Sequence, residues 1–238
     1  LVAQSTTEYT VTISPTTDGQ IAVDVPENVA EDAATNGNEA SNTFSIEYDA
    51  TRPTVALSTT AVDPSNVQFD VTATFSEDVY GFEMADLALV NATASNFVGT
   101  GSVYTFTVTP TADGQVTVDV PENVSEDVAT NGNEASNTLE MTYDFTRPTV
   151  VLSTTAADPT NAAFQVTATF SEDVTGLDET EIVVTNGEAS NLMGSGTTYT
   201  FTVTPASDGL VSVDVPENVA EDAATNGNEA SNTLEMTY

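Results

Sequence analysis

The sequence contains no cysteine, no histidine, no tryptophan and no lysine. The missing cysteine removes disulfides, thiol nucleophiles and thiolate metal sites together. With histidine and lysine gone as well, no nucleophile–base pair can be assembled, so the chain is not expected to be an enzyme. Positive charge is nearly absent. Two arginines face 37 acidic side chains, for a formal net charge of -35. A surface of that sign repels nucleic acid and anionic membranes, which excludes both as expected partners. No run approaches the roughly 20 apolar residues that a spanning helix needs. The opening stretch, LVAQSTTEYT, lacks the charged-then-apolar order of a signal peptide.

A charge of this size in a chain poor in apolar residues means disorder. Here 39% of residues are hydrophobic, and they alternate with polar ones. A folded β protein is therefore expected, with its negative excess screened or bound by cations.

Internal repetition organises the chain. DVPENVAEDAATNGNEASNT occupies 24–43 and recurs unchanged at 214–233, and 119–138 reads DVPENVSEDVATNGNEASNT. The starts at 24, 119 and 214 are 95 residues apart. TRPTV (from Thr51 and Thr146) and FSEDV (from Phe75 and Phe170) keep the same spacing. Such a period marks a tandem array. The expected units are 50–144 and 145–238, preceded by 1–49, which matches only the second half of a repeat. Half a sandwich cannot close its own core. The segment 1–49 is thus expected to be a cut piece of a longer array, or else to take its missing strands from another chain, as in donor-strand complementation.

Strict alternation predicts half-buried strands. In the second unit it covers Val67, Phe69, Val71, Ala73 and Phe75, then Tyr104, Phe106 and Val108, then Val116, Val118 and Val120, then Leu139, Met141 and Tyr143. Shorter runs lie at 54–58, 87–90 and 95–98. Asp63-Pro64, Gly99-Thr100-Gly101 and Asp113-Gly114 read as turns between them. About seven strands in about 95 residues suit an all-β, immunoglobulin-like sandwich, with strands A to G, repeated end to end.

TRPTVALS, VTATFSEDVYGF, GSVYTFTVTPTADGQVTVDVP and EDVATNGNEASNT, in that order, resemble the bacterial Ig-like repeats of very large cell-surface proteins. The resemblance covers each repeat in full. It implies a secreted, extracellular or cell-surface stalk within an adhesin, often linked to calcium. One departure is the extra acid of FSEDV, Asp78 and Asp173, where such repeats commonly carry proline.

In that topology the lead-in to strand A, the B–C loop and the F–G loop share one pole, at the joint with the preceding module. The joint before the second unit would gather Asp49, Glu77, Asp78, Asp127, Asn131 and Asn133. The joint before the third would gather Asp144, Glu172, Asp173, Asp222, Asn226 and Asn228. The first segment supplies only Asp32, Asn36 and Asn38. Carboxylates and amide oxygens without soft ligands suit calcium, which takes six to eight oxygens in irregular geometry. They disfavour zinc and copper. Gly132 is expected to ease the turn. An acidic loop can also be merely solvated. Arg52 and Arg147, each before a proline, are expected to clamp a carboxylate across the joint.

Three functions are thus in play. The first is a stalk or filament stiffened by calcium at its joints, whose partners are neighbouring repeats and other copies. The second is a direct binding module for glycans or for its own kind, with Tyr80 and Phe82 as exposed aromatics. The third is a surface-layer or sheath protein of a halophile, in which acidity serves molar salt.

Overall fold

The computed structural model describes all 238 residues. Segment 1–49 forms β1 (Val2–Ala3), β2 (Tyr9–Thr10), β3 (Gly19–Val23) and β4 (Phe44–Tyr48). The middle module follows with β5 (Val55–Ser58), β6 (Phe69–Val79), β7 (Ala88–Val90), β8 (Ala92–Pro110), β9 (Gly114–Asp119) and β10 (Leu139–Tyr143). The last module repeats it with β11 (Val150–Ser153), β12 (Phe164–Val174), β13 (Val183–Thr185), β14 (Gly187–Pro205), β15 (Leu210–Asp214) and β16 (Leu234–Thr237).

Each full module is a pair of antiparallel sheets. One is ordered β5-β6-β8, the other β7-β9-β10, and the last module has β11-β12-β14 and β13-β15-β16. β8 doubles back on itself at Gly99–Gly101. A Cβ at Gly99 would lie 2.4 Å from the Val103 carbonyl, so only glycine lets the two arms close. Asn96 Nδ2 reaches Thr107 Oγ1 across them at 3.3 Å. The same hairpin is explicit one repeat earlier, where β1 pairs with β2 as Val2↔Thr10 and Ala3↔Tyr9. Counting both arms gives seven strands in the A-B-E-D and C-F-G grouping of an Ig-like sandwich.

Alternation places one face of each strand inside. On β6, Phe69, Val71, Ala73 and Phe75 are buried while their neighbours are not. They meet Val116, Val118 and Met141 of the opposite sheet, with Phe106 and Val108 beside them. Val67 does not join them and is 60% exposed. The strand starts two residues later than the alternation suggests, because Ser65 is held by the far strand instead, its N–H donating to the Thr142 carbonyl at 3.0 Å. A buried Val or Phe contributes roughly 1.5–3 kcal/mol, against about 0–1 kcal/mol for an exposed ion pair. The two cores, not pairing of charges, hold these modules together.

Phe82 is a core residue, 5% exposed. It packs edge-on to Phe75 and Tyr104 at 5.2 and 5.1 Å between ring centres. Contrary to the expectation from the sequence, it is not an exposed aromatic available for binding. Leu177 takes its place in the last module. Tyr80 does remain exposed. In segment 1–49 the apolar face is open. Val11, Ile13 and Ile46 are about half exposed, at 47–54%, where their counterparts Phe106, Val108 and Met141 are buried.

Candidate metal centres at the module joints

β6 and β12 each break register at their far ends, between Thr74 and Val79 and between Thr169 and Val174. Such a bulge bends and twists the strand end. Glu77 and Asp78 therefore lie on a strand, not in the B–C loop expected from the sequence, and alternation sends them opposite ways. Glu77 is half-buried and turns toward the F–G loop. Asp78 is exposed and faces the β8 hairpin, its Oδ1 2.7 Å from where a Gly101 Cβ would sit. Asp173 does the same over Gly196, at 2.9 Å. Neither belongs to the acidic cluster.

The F–G loop reaches Glu77 because Tyr80 and Glu126 exchange backbone hydrogen bonds of 2.7 and 3.1 Å. Its backbone is organised by Asn133, which is fully buried. The Asn133 Oδ1 accepts from the N–H groups of Val124 and Ser125, both at 2.9 Å. Its Nδ2 donates to the Pro121 and Glu134 carbonyls at 2.9 and 2.7 Å. Asn228 and Asn38 repeat this set. These three asparagines staple the loop and have no oxygen turned to a cation, contrary to the ligand role expected for them. Gly132 also serves differently from expectation. The positive φ, 67°, is at Thr130, and Gly132 is required because a Cβ there would come 2.5 Å from Asn123 Oδ1.

What converges is two triads. Carboxylate oxygens of Asp49, Glu77 and Asp127 lie within 4.8 Å of one another, as do those of Asp144, Glu172 and Asp222. Each triad combines a linker residue, a bulged strand end and the F–G loop. Asp127 and Asp222 are buried at 3% and 7% exposure. Asn131 and Asn226 hold them, donating from Nδ2 to the aspartate Oδ2 at 2.9 Å and to the Asp49 and Asp144 carbonyls at 3.2 and 2.8 Å. The Asn226 Oδ1 accepts from Asn66 of the preceding module at 3.1 Å. These asparagines thus buttress the acids. Asp32 and Asn36 keep the same internal pairing, at 2.9 Å, and no further acid gathers with them.

Sequence reasoning missed both Asp18, which it did not single out, and Asp113, which it read only as a turn residue. They sit at the exit of one module and tie down the linker to the next. Asp113 accepts from the Phe145 N–H at 2.8 Å and from the Thr146 hydroxyl, and Asp18 bonds Ala50 and Thr51 likewise. Their recurrence at the 95-residue period was the available signal.

Charge in the triads is uncompensated. Burial first, then Asp144, Asp222 and Asp113, pushes the Glu172 carboxyl above its ordinary range. Burial, then Asp127, Asp49 and Asp18, does the same to Glu77. Burial also works to raise Asp127, but hydrogen bonds from Asn131 and the loop amides outweigh it and hold it low.

The arginines do not relieve this. Arg52 Nε donates to the Gly132 carbonyl at 2.7 Å, and its NH2 group donates to Asn133 O at 2.6 Å and Asn123 Oδ1 at 2.9 Å. Its contact with Glu122, at 3.3 Å, is exposed and lies within the same module. Arg147 is identical in kind. The expected clamp across the joint is instead a staple on the module's own F–G loop. Arg147→Lys should therefore lower the last module's stability by about 1–2 kcal/mol, since a single ammonium nitrogen lacks the two separated donors, Nε and NH2, that reach the Gly227 and Asn228 carbonyls. Glu217→Gln should change it by no more than about 0.5 kcal/mol. Urea unfolding of both variants checks the contrast, and equal losses would show that the ion pair, not the fork, is what matters.

The bacterial Ig-like domain family matches the chain twice, at 49–143 and 144–238. Asp49 and Asp144 thus open the two copies. Among solved structures the chain is similar to invasin, a bacterial integrin-binding protein, at 11% identity over 93% of this chain and 46% of that one, with a TM-score of 0.44. It is also similar to a tetra-tandem repeat in the extending region of a large adhesion protein, at 21% identity over 92% of this chain and 57% of that one, with a TM-score of 0.30. The chain spans about half the length of each. No curated protein sequence matches it.

Proposed function

The chain belongs to the family of bacterial Ig-like domains, and on that premise we propose that it is a stretch of extracellular stalk in a cell-surface adhesin, stiffened by calcium at its module joints. The observation that carries this reading is the origin of each triad. Three carboxylates from a linker, a strand end and a loop converge within 4.8 Å, and the only arginines bond elsewhere. A divalent ion there neutralises repulsion and at the same time fixes the linker to the module that follows. Three carboxylate oxygens leave about three to five positions of a calcium shell for water and backbone carbonyls. Magnesium, which demands a tighter octahedron, suits the site less well.

The role is mechanical, and no catalytic step is part of it. Extracellular modules bind calcium at roughly 10⁻⁴–10⁻³ M, so the joints would fill outside the cell. Titration with calcium, followed by calorimetry or by competition with luminescent terbium, is expected to show two equivalent sites per chain, lost together in Asp127→Asn plus Asp222→Asn. Absence of binding at 10 mM, about ten times the weak end of that range, would overturn the proposal. The net charge of -35 without lysine favours one second reading, a salt-adapted sheath protein, which molar sodium chloride stabilises and millimolar calcium does not.

A further inference from the structure

The two complete F–G loops differ at only two positions, Ser125 against Ala220 and Val128 against Ala223, yet they are buried differently. Ala224 and Asn226 are 3% and 6% exposed, while Ala129 is exposed and Asn131 half-buried. Val128, at the same tip, is 83% exposed. Ala224 is not part of its own module's core cluster. Its cover comes from the preceding module. Residues 223–225 line one cleft with the loop that joins β5 to β6, between Ala61 and Gln68. At the corresponding tip of the middle module, no residue of segment 1–49 covers Val128 and Ala129.

One polar contact pins this seam. Asn66 Nδ2 donates to Asn226 Oδ1 at 3.1 Å. The same Asn226 amide donates to the Asp144 carbonyl at 2.8 Å and to Asp222 at 2.9 Å. A single side chain therefore ties together the preceding module, the linker and the loop of the following module. None of these bonds involves an ion.

We infer that the loop between the first two strands of each module is a socket for the F–G tip of the next, and that the Asn66–Asn226 pair sets the angle between modules without any cation. The partner of the surface is the following copy of the repeat. Asn161, at the 95-residue counterpart of Asn66, marks the same socket on the last module. The seam goes beyond the calcium reading and stands apart from it.

Because the chain has no cysteine, two spin labels can be placed without background, at Glu140→Cys on β10 and Glu235→Cys on β16, both exposed. Distances between them are measured by pulsed electron resonance on the full chain in excess chelator. A narrow distribution is expected for the otherwise unaltered chain. Asn66→Ala is expected to broaden it by about twofold or more, as a freed joint samples more orientations. Ala224→Asp, which forces a charge into the seam, is expected to do the same while each module's melting transition stays in place. A broad distribution in chelator that only calcium narrows would overturn the inference, leaving the cation as sole determinant. So would a width unchanged in both variants. Calcium titration of the same samples tests the metal sites separately, and either result there leaves the seam test readable.

Discussion

Replacing Asn228 by alanine is expected to destabilise the last module by about 3–5 kcal/mol, because four backbone groups, one in a buried bond and three in part-buried ones, lose their partner at once. Those groups are the N–H of Val219 and of Ala220 and the carbonyls of Pro216 and Glu229. Asn228 itself is wholly buried, and alanine leaves neither an acceptor nor donors in its place. For a module of this size the loss corresponds to a fall in melting temperature of roughly 15–30 °C. Calorimetry on the full chain measures it, and a loss below about 1 kcal/mol would show that the loop holds its shape without the staple. Asn228→Asp sharpens the test. Were this residue a cation ligand, the added charge would tighten calcium binding. As a staple it loses two donors and gains a buried charge, so the variant should be destabilised with calcium and without it.

The second large effect is a reversal of sign at Glu172. Without a cation, burial and then the neighbouring Asp144, Asp222 and Asp113 raise the Glu172 carboxyl above its ordinary 4.5. The folded protein then binds that proton more tightly than the unfolded chain does. Stability therefore falls as pH rises from about 4.5 through the raised folded value. Glu172→Gln removes this penalty. In chelator at neutral pH the variant should melt above the parent, and the gap should close below about pH 4.5. In calcium the order should invert. At 10 mM calcium and a Kd of roughly 10⁻⁴ M the parent gains about 2.7 kcal/mol per site, while a tenfold weaker site gains about 1.4 kcal/mol. Thermal scans of both proteins in chelator, in calcium and in sodium chloride decide the matter. If salt alone shifts both proteins in parallel and calcium produces no crossing, the acidic joints serve charge screening, as in the salt-adapted reading. Asp113 and Asp127 behave oppositely. Their carboxyls are held low, so their contribution fades only as pH drops below about 3.8.

The amino-acid order alone determined the architecture. Period-two alternation marked the inward faces of β6, β8, β9 and β10, and the 95-residue repeat marked the modules, because burial on a pleated sheet leaves its imprint one residue at a time. It also brought Asp49, Glu77 and Asp127 to one pole, since Ig-like topology fixes which loops share an end. Which neighbours act together was settled only in three dimensions. Glu77 and Asp78 are adjacent in the chain, but they lie on a bulged strand end and not in a loop, so alternation turns one into the joint and the other onto the hairpin. Asn131 and Asn133 are two residues apart, yet one buttresses an aspartate and the other is spent on backbone groups. Arg52 stands beside the acids in the sequence and forks instead onto its own loop. Direction of a side chain, and competition of backbone groups for it, depend on the local twist and on contacts from segments some 80 residues distant. That information is held in the packed fold, and no spacing along the chain encodes it.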